Sequence, residues 1–293
     1  MQTSEGRALE AEPPPGEHPG QPTGLHRGSN GSRQRPVEPL VCRLRSIGFD
    51  DWPYPAFVAH RGAGLLAPEN TLAAMRLGYD CGYRMFEFDV KLSCDGVLVL
   101  MHDDLVDRTT NGSGCVADAS WAELAKLDAG AWHSPRFAGE PVPTLARVAA
   151  WLRANGCLAN IEIKPSPGRE AETGAAIAAE ALALWRDADV PPLLSSFSEA
   201  ALEAARRVAP GLPRALLISR LPDDWLERCR ALGCVALDAN HRELDAETIE
   251  RAHREGLRVL AYTINEPTRA AMLRKLGLDG VITDAVGSLG PAD

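Results

Sequence analysis

The chain has 293 residues, of which 45% are apolar, and a formal net charge of −9 at pH 7. This length and apolar content suffice for one large hydrophobic core or two modest ones. The acidic balance disfavours nucleic acid as a partner, although a cationic pocket can still hold a small anion. Seven cysteines, an odd number with no Cys-x-x-Cys pair, argue against both a disulfide framework and a zinc site.

Residues 1–50 differ in composition from the rest of the chain. Up to about Val37 they are rich in Glu, Gly, Pro, Gln, Ser and Arg and contain no apolar run. Such a segment buries too little apolar surface to offset the entropy of ordering, so we expect a disordered or poorly ordered tail. This tail lacks the apolar central region of a secretory signal, and no stretch of the chain reaches the ~18 apolar residues of a membrane span. We therefore expect a cytoplasmic protein without an integral membrane segment.

The remaining residues, 51–293, show strand patterns that alternate with helix patterns. Eight apolar runs predict strands, near residues 56–60, 84–91, 158–164, 193–196, 213–218, 234–238, 258–263 and 280–283. Seven amphipathic segments between them predict helices, near residues 69–81, 143–155, 170–187, 198–208, 222–232, 245–255 and 266–276. Eight strands separated by seven helices are the number expected for a closed parallel α/β barrel of the TIM type, (β/α)8. A doubly wound open sheet alternates in the same way, so the number of strands carries the prediction.

One segment, residues 95–142, interrupts the alternation after the second predicted strand. It contains a strand-like run at 97–100, a turn-rich run at 111–114 and a short helical pattern at 121–127. Ordinary βα loops have about 2 to 6 residues, and much longer ones usually carry function. We therefore predict an insertion that lies over the carboxyl end of the second strand.

The second and third predicted strands each carry acidic side chains on one face. Side chains alternate along a strand, so Glu87, Asp89 and Lys91 point one way, as do Glu162 and Lys164 on the third strand. Taken alone, each run is typical of an amphipathic strand with its charged face in water. In a parallel sheet buried on both faces, each unpaired charge would cost several kcal/mol (roughly), and metal coordination would offset that cost. Three carboxylates form a hard, oxygen-rich site that suits Mg²⁺ or Ca²⁺, with Mn²⁺ as a further option, better than zinc.

Basic and titratable residues occur at the same strand ends. His60 and Arg61 follow the first predicted strand, Lys164 ends the third, and His102 lies within the insertion. In barrels of this type the active site lies at the carboxyl ends of the strands. A divalent cation with Arg and Lys stabilises a phosphoryl group, and two histidines move protons at neutral pH. The combination indicates metal-assisted cleavage of a phosphodiester.

Seven short blocks of the sequence resemble, in order and spacing, the glycerophosphodiester phosphodiesterase family. The blocks are Ala59-His60-Arg61-Gly62, Pro68-Glu69-Asn70-Thr71, Glu87-Phe88-Asp89-Val90, Asp95-Gly96 leading to His102-Asp103, Ile161-Glu162-Ile163-Lys164, Tyr262-Thr263-Ile264-Asn265 and Gly280-Val281-Ile282-Thr283-Asp284. Together they cover about residues 56–288. One departure is Tyr262, which stands where the family often has Trp.

The resemblance implies a TIM barrel that hydrolyses small glycerophosphodiesters to sn-glycerol 3-phosphate and an alcohol, as in glycerophospholipid catabolism. The site residues that it implies are the metal ligands Glu87, Asp89 and Glu162, the acid/base pair His60 and His102, and the phosphate-binding residues Arg61 and Lys164.

Several points stay open at the level of the sequence. The same fold and metal would serve a lysophospholipase D or a phosphoinositide phospholipase C-like enzyme, and a non-catalytic barrel would bind a phosphodiester without cleaving it. The sequence does not give the headgroup, the ion, the oligomeric state, which histidine is the base, or whether water or the substrate's own 2-hydroxyl attacks. Glu69 and Asn70 would serve either the following helix or the site, and Asp284 either a helix cap or the substrate.

Overall fold

The structure is a computed structural model that describes residues 52–291. Its strands are β1 (Phe57–Ala59), β2 (Met85–Leu92), β3 (Leu98–Leu100), β4 (Leu158–Ile163), β5 (Leu193–Ser196), β6 (Arg214–Ile218), β7 (Ala236–Asn240), β8 (Arg258–Tyr262) and β9 (Gly280–Thr283). Its helices are α1 (Leu72–Asp80), α2 (Trp121–Leu124), α3 (Leu145–Ala154), α4 (Glu170–Leu184), α5 (Glu199–Val208), α6 (Trp225–Ala231), α7 (Ala246–Arg254) and α8 (Pro267–Lys275). All eight predicted strands and all seven predicted helices are present, with bounds that shift by a few residues. The tail predicted over residues 1–50 lies outside the described residues.

Eight of these strands form a closed parallel barrel. Going round it, the neighbours are β1, β2, β4, β5, β6, β7, β8 and β9, and then β1 again. The ring closes where Ala59 of β1 pairs in parallel with Phe86 of β2. The predicted TIM-type (β/α)8 fold is therefore confirmed. β3 lies outside the ring and runs antiparallel to the end of β2, with Leu100 opposite Val90.

Capping side chains and glycines explain where the helices begin and end. Thr71, Ser198 and Asp245 each accept a hydrogen bond from a backbone N–H three residues further on, at the starts of α1, α5 and α7. Gly233 and Gly256 follow α6 and α7 with φ of 60° and 75°, a conformation that glycine adopts at little cost. Among residues 52–291, none of the helices has the length and apolar character needed to cross a bilayer.

Hydrophobic side chains fill two separate spaces. Phe86 and Phe88 of β2 are fully buried on the outside of the barrel, where the Phe86 ring meets Trp151 of α3 edge-on at 6.2 Å. A second apolar layer fills the barrel interior near the amino ends of the strands, and consists of Tyr54, Val58, Met85, Leu193, Ala215, Ala236, Leu260 and Ile282. Burial of a large apolar side chain contributes about 1.5–3 kcal/mol. Above this layer the interior becomes polar.

The insertion predicted over residues 95–142 is a packed structure with its own small core. β3 and α2 fall within its predicted strand and helix, and the core residues include Val99, Met101, Val106, Val116, Leu124 and Val142. Glu140 anchors the insertion to the barrel, because it accepts a hydrogen bond of 3.0 Å from the backbone N–H of Ala73 at the start of α1. The insertion is therefore held against the carboxyl end of the barrel.

Candidate active site

Three carboxylates from neighbouring strands meet inside the barrel near its carboxyl end. Parallel pairing of β2 with β4 places Asp89 opposite Glu162, and Glu87 lies two residues earlier on the same face of β2. One oxygen of each lies within 4.8 Å of the others. Glu87, Asp89 and Glu162 are 3%, 1% and 7% exposed. The structure therefore brings these three residues together.

The donor set of this cluster fits a divalent cation. Glu87 Oε1 and Asp89 Oδ1 are buried without a hydrogen-bond partner among the described residues. Buried carboxylate oxygens of this kind are costly unless a hydrogen bond or a metal satisfies them. Three carboxylates at this spacing could hold Mg²⁺, Ca²⁺ or Mn²⁺.

Burial and mutual repulsion set the protonation of the cluster. Burial raises the pKa of Glu87 well above its usual range, and the charges of Asp89 and Glu162 raise it further. Burial, together with repulsion from Asp89, raises the pKa of Glu162 to about 7. Burial also acts to raise the pKa of Asp89, but the positive charges of Arg61 and Lys164 outweigh it and hold that pKa well below its usual range. A bound cation would take the place of the protons on the two glutamates.

The sharp loop after β1 carries Arg61 to the cluster. Arg61 and Gly62 have positive φ of 51° and 102°. A Cβ atom on Gly62 would lie only 2.7 Å from the Cβ of Ala74, so glycine is required there. The Arg61 Nε lies 3.4 Å from Asp89 Oδ2, and the Arg61 backbone N–H donates to Glu87 Oε2 at 3.0 Å.

Asn70 and Lys164 contact the cluster from other directions. Asn70 Nδ2 donates to Asp89 Oδ2 at 2.8 Å, and Asn70 Oδ1 accepts from the Asp89 backbone N–H at 3.1 Å. Asn70 therefore orients Asp89, while Thr71 caps α1. Lys164 Nζ lies 2.7 Å from Glu162 Oε1 and 3.4 Å from Asp89 Oδ1.

His60 lies directly after β1, beside the carboxylate cluster. Its backbone N–H donates to the Thr283 carbonyl at 3.0 Å, which extends the pairing of β1 with β9. Its Nδ1 donates to Asp284 Oδ1 at 2.6 Å, and its Nε2 lies 3.8 Å from Glu87 Oε2. Asn265 Oδ1 in turn accepts from the Asp284 backbone N–H at 2.9 Å. Asp284 thus holds the His60 ring.

His102 approaches from the insertion and is held by a chain of ion pairs. Its Nδ1 donates to Asp103 Oδ1 at 2.6 Å, and burial lowers the pKa of His102 even though Asp89 opposes this shift. Arg108 Nε donates to Asp103 Oδ2 at 2.6 Å, and Arg108 Nη1 donates to Glu69 Oε2 at 2.8 Å. Glu69 also accepts from Arg61 Nη1 at 2.8 Å. The chain therefore links the insertion to the loop after β1.

An open cleft leads away from the cluster. Its volume is about 600 Å³, and His102, Glu162 and Lys164 line it on the side of the cluster. Phe197 forms an aromatic wall, with its ring centroid 5.7 Å from that of Tyr262 and 5.5 Å from the Lys164 ammonium. The cleft is wide enough for groups of different sizes.

Some residues around the site make contacts that the sequence did not predict, and others were not identified from the sequence at all. Lys91 shares a strand face with Asp89, but its ammonium donates to Asp104 of the insertion at 2.6 Å. Arg108 was missed, because only its position in the long loop hinted at a role. Asp238 of β7, which lines a small recess together with Glu87 and Glu162, was missed too, although a carboxylate within an apolar strand was a usable signal.

Similarity to known proteins extends over nearly all of the described residues. The sequence model of the glycerophosphoryl diester phosphodiesterase family matches residues 60–288. A glycerophosphodiester phosphodiesterase from Caldanaerobacter subterraneus is 34% identical over 232 residues, which cover 78% of this chain and 93% of that protein. A glycerophosphodiester phosphodiesterase from Bacillus subtilis is 30% identical over 245 residues, which cover 78% of this chain and 82% of that protein.

A solved structure gives the same result. The Oleispira antarctica phosphodiesterase in complex with the product sn-glycerol-3-phosphate is 37% identical, with a TM-score of 0.75 over 80% of this chain and 94% of that chain. The chain therefore belongs to the glycerophosphoryl diester phosphodiesterase family and is a hydrolase of phosphoric diesters.

Proposed function

We propose that this enzyme hydrolyses small glycerophosphodiesters to sn-glycerol 3-phosphate and an alcohol, with a divalent cation and two histidines. The observation that carries the proposal is the convergence of three buried carboxylates, two basic side chains and two carboxylate-bound histidines at the carboxyl end of the barrel. The product complex of the Oleispira antarctica relative supports the choice of product.

Glu87, Asp89 and Glu162 are the proposed metal ligands. Mg²⁺, Ca²⁺ or Mn²⁺ would supply positive charge there that polarises a phosphoryl oxygen. Asn70 keeps Asp89 in position through its two hydrogen bonds. Such hydrogen bonds to a ligating carboxylate normally tune metal affinity.

Arg61 and Lys164 are the proposed phosphate-binding residues. Both contact Asp89, and both lie where a phosphoryl group beside the cation would be within reach. Three carboxylates, a divalent cation and these two basic side chains leave one positive charge. This charge complements that of a phosphodiester, which is a monoanion.

His60 and His102 are the proposed acid/base pair. Each donates from Nδ1 to an aspartate, which leaves Nε2 to accept a proton when the ring is neutral and to donate one when the ring is protonated. His60 Nε2 faces the carboxylate cluster near Glu87. One ring takes a proton from the nucleophile and the other protonates the departing alkoxide.

The test is a substrate panel of glycerophosphocholine, glycerophosphoethanolamine, glycerophosphoglycerol, glycerophosphoinositol and lysophosphatidylcholine, assayed with each cation and after EDTA treatment. We expect sn-glycerol 3-phosphate to be released from the soluble diesters, lost with EDTA and restored by the cation. Release of phosphocholine or inositol phosphate would instead indicate phospholipase C-like cleavage. Turnover of lysophosphatidylcholine alone would indicate a lysophospholipase D.

Two further measurements address the chemistry. Activity that persists after exhaustive chelation would contradict the metal assignment. Rapid-quench detection of glycerol 1,2-cyclic phosphate would show attack by the substrate's 2-hydroxyl, and its absence would favour water.

A further inference from the structure

A small polar recess lies in the barrel interior beneath the carboxylate cluster. Asn160 of β4, Ser195 of β5 and Asp238 of β7 are its polar residues, and all three side chains are fully buried. Strand pairing places Asn160 opposite Glu87 and Ser195 opposite Glu162. The recess is therefore continuous with the reaction centre.

The polar atoms of this recess make no hydrogen bond of good geometry among the described residues, although Asn160 lies close enough to Asp238 to oppose the rise that burial causes in the pKa of its carboxyl. They are Asn160 Oδ1 and Nδ2, Ser195 Oγ, and both carboxylate oxygens of Asp238. An unsatisfied buried polar group is destabilising, and such groups in natural proteins are nearly always paired. The layer below, including Leu193 and Ala236 of the same strands, is apolar. The polar side chains are thus confined to the level that faces the site.

The size of the recess limits what can fill it. Its volume is about 20 Å³, enough for one water-sized group, whereas the open cleft has about 600 Å³. Its upper wall includes His60, Glu87 and Glu162. Asp238 is not among the carboxylates that cluster at metal-binding distances within residues 52–291. Donors and acceptors are both present, which suits a neutral hydroxyl better than a cation.

We propose that the recess formed by Asn160, Ser195 and Asp238 binds one hydroxyl of the substrate's glycerol moiety. This inference rests on the proposed function. It orients the diester with its glycerol toward the barrel interior and its alcohol group in the open cleft. Glycerol is then recognised strictly and the headgroup loosely, because a site with buried polar groups rejects a ligand that leaves them unpaired.

The experiment compares glycerophosphocholine with ethyl phosphocholine, in which ethanol replaces glycerol and both free hydroxyls are missing. Three recess variants are used: Asp238→Leu, the shape-preserving Asp238→Asn and the minimal Ser195→Ala. We expect Asp238→Leu to lower kcat/KM for glycerophosphocholine about 10- to 100-fold and Ser195→Ala to lower it severalfold. Turnover of ethyl phosphocholine should change less than about twofold, since it makes no contact with the recess. Asp238→Asn should give the smallest loss of the three.

An inhibition assay gives a second readout that does not need turnover of the analogue. In the wild-type enzyme sn-glycerol 3-phosphate should inhibit more strongly than propyl phosphate, and Ser195→Ala and Asp238→Leu should reduce this difference. Thr173→Val is the matched control, because Thr173 of α4 also has a buried hydroxyl without a partner within residues 52–291 but lies outside the barrel. The control variant should leave the turnover of both substrates unchanged.

The outcomes separate this inference from the proposed function. Equal losses on both substrates, or no loss on either, would overturn the hydroxyl assignment while the wild-type enzyme still hydrolyses glycerophosphocholine. If the wild-type enzyme releases no sn-glycerol 3-phosphate from any diester, the proposed function fails and the recess proposal fails with it.

Discussion

The two proposed catalytic histidines belong to differently built halves of the site. The barrel half consists of His60 and the carboxylates on the strands; the carboxylates are buried and fixed by strand register, and the His60 side chain is 17% exposed. The insertion half consists of His102, Asp103 and Arg108, and the Arg108 side chain is 45% exposed. One half is held by the sheet, and the other by ion pairs between loops. The proposed reaction would therefore draw on two parts that are held in place in different ways.

Glu69 joins these halves. It accepts hydrogen bonds from Arg61, beside the carboxylates, and from Arg108, which holds Asp103. Burial by itself acts to raise the pKa of Glu69, but Arg108 and Arg61 overcome it and lower that pKa below its usual range. Substitutions in either half should show how far the halves act independently.

The largest effect is expected in the barrel half, for Asp89→Asn. This change removes a proposed metal ligand together with the charge that Arg61 and Lys164 contact. Loss of a cation's charge stabilisation is worth several kcal/mol, or roughly 10⁴-fold in rate. The measurement is kcat/KM for glycerophosphocholine together with calorimetric Mg²⁺ binding. Asp107→Asn, in the insertion, is the control, and unchanged cation affinity in Asp89→Asn would remove Asp89 from the metal site.

Each histidine can then be tested alone. We expect His60→Ala and His102→Ala each to lower kcat about 10²- to 10⁴-fold, since each removes a proton-transfer group. His253→Ala is the control, because its ring also contacts an aspartate, Asp279, at 2.8 Å. Near-normal turnover by His102→Ala would leave catalysis to the barrel half alone.

Cation binding by the barrel half should depend on pH. Glu162 has a pKa raised to about 7, so below that pH a proton competes with the cation for the same carboxylate. We expect the Kd for Mg²⁺ to rise about tenfold for each unit that the pH falls below about 7, and more steeply wherever Glu87, whose pKa is also raised well above its usual range, carries a second proton. Calorimetry in buffers of different ionisation enthalpy would count the protons released. A Kd that stays flat between about pH 5 and 7 would contradict proton competition.

The residues of the barrel half could be predicted from the sequence better than those of the insertion half. Glu87, Asp89 and Glu162 were predictable, because a period of two along parallel strands places their side chains on one face. Asp284 was visible at the end of β9, but its contact with His60 depends on β1 pairing with β9 across 224 residues of sequence. Arg108 was not predictable, since loop conformation has no periodicity. The recess at Asp238 requires closure of the whole barrel.

The aspartates that hold the two histidines allow a direct comparison. Asp284 is backed by Asn265, whereas Asp103 is backed by the half-exposed Arg108. We expect Asp284→Asn to lower kcat about 10- to 100-fold, because it removes a hydrogen bond to a charged group. Asp103→Asn should lower kcat less, because its supporting ion pair is exposed to solvent. The readout is kcat together with its pH profile, because a lost orienting carboxylate should also shift the profile. The opposite order of losses would mean that the insertion half is the more rigid one.

The smallest effect is expected for Arg108→Ala, which cuts the link between the halves. Arg108 acts through Asp103 and is a positioning residue, and exposed ion pairs contribute only about 0.2–1 kcal/mol, so kcat should fall about two- to fivefold. Salt tests this role: as the screening length falls to about 3 Å near 1 M salt, the wild-type rate should approach that of the variant. Arg108→Lys should restore part of the rate, since an ammonium cannot hold Glu69 and Asp103 with the geometry of a guanidinium. Arg136→Ala, on the same insertion, is the control. A variant whose rate falls in parallel with the wild type as salt rises would show that His102 is held without this link.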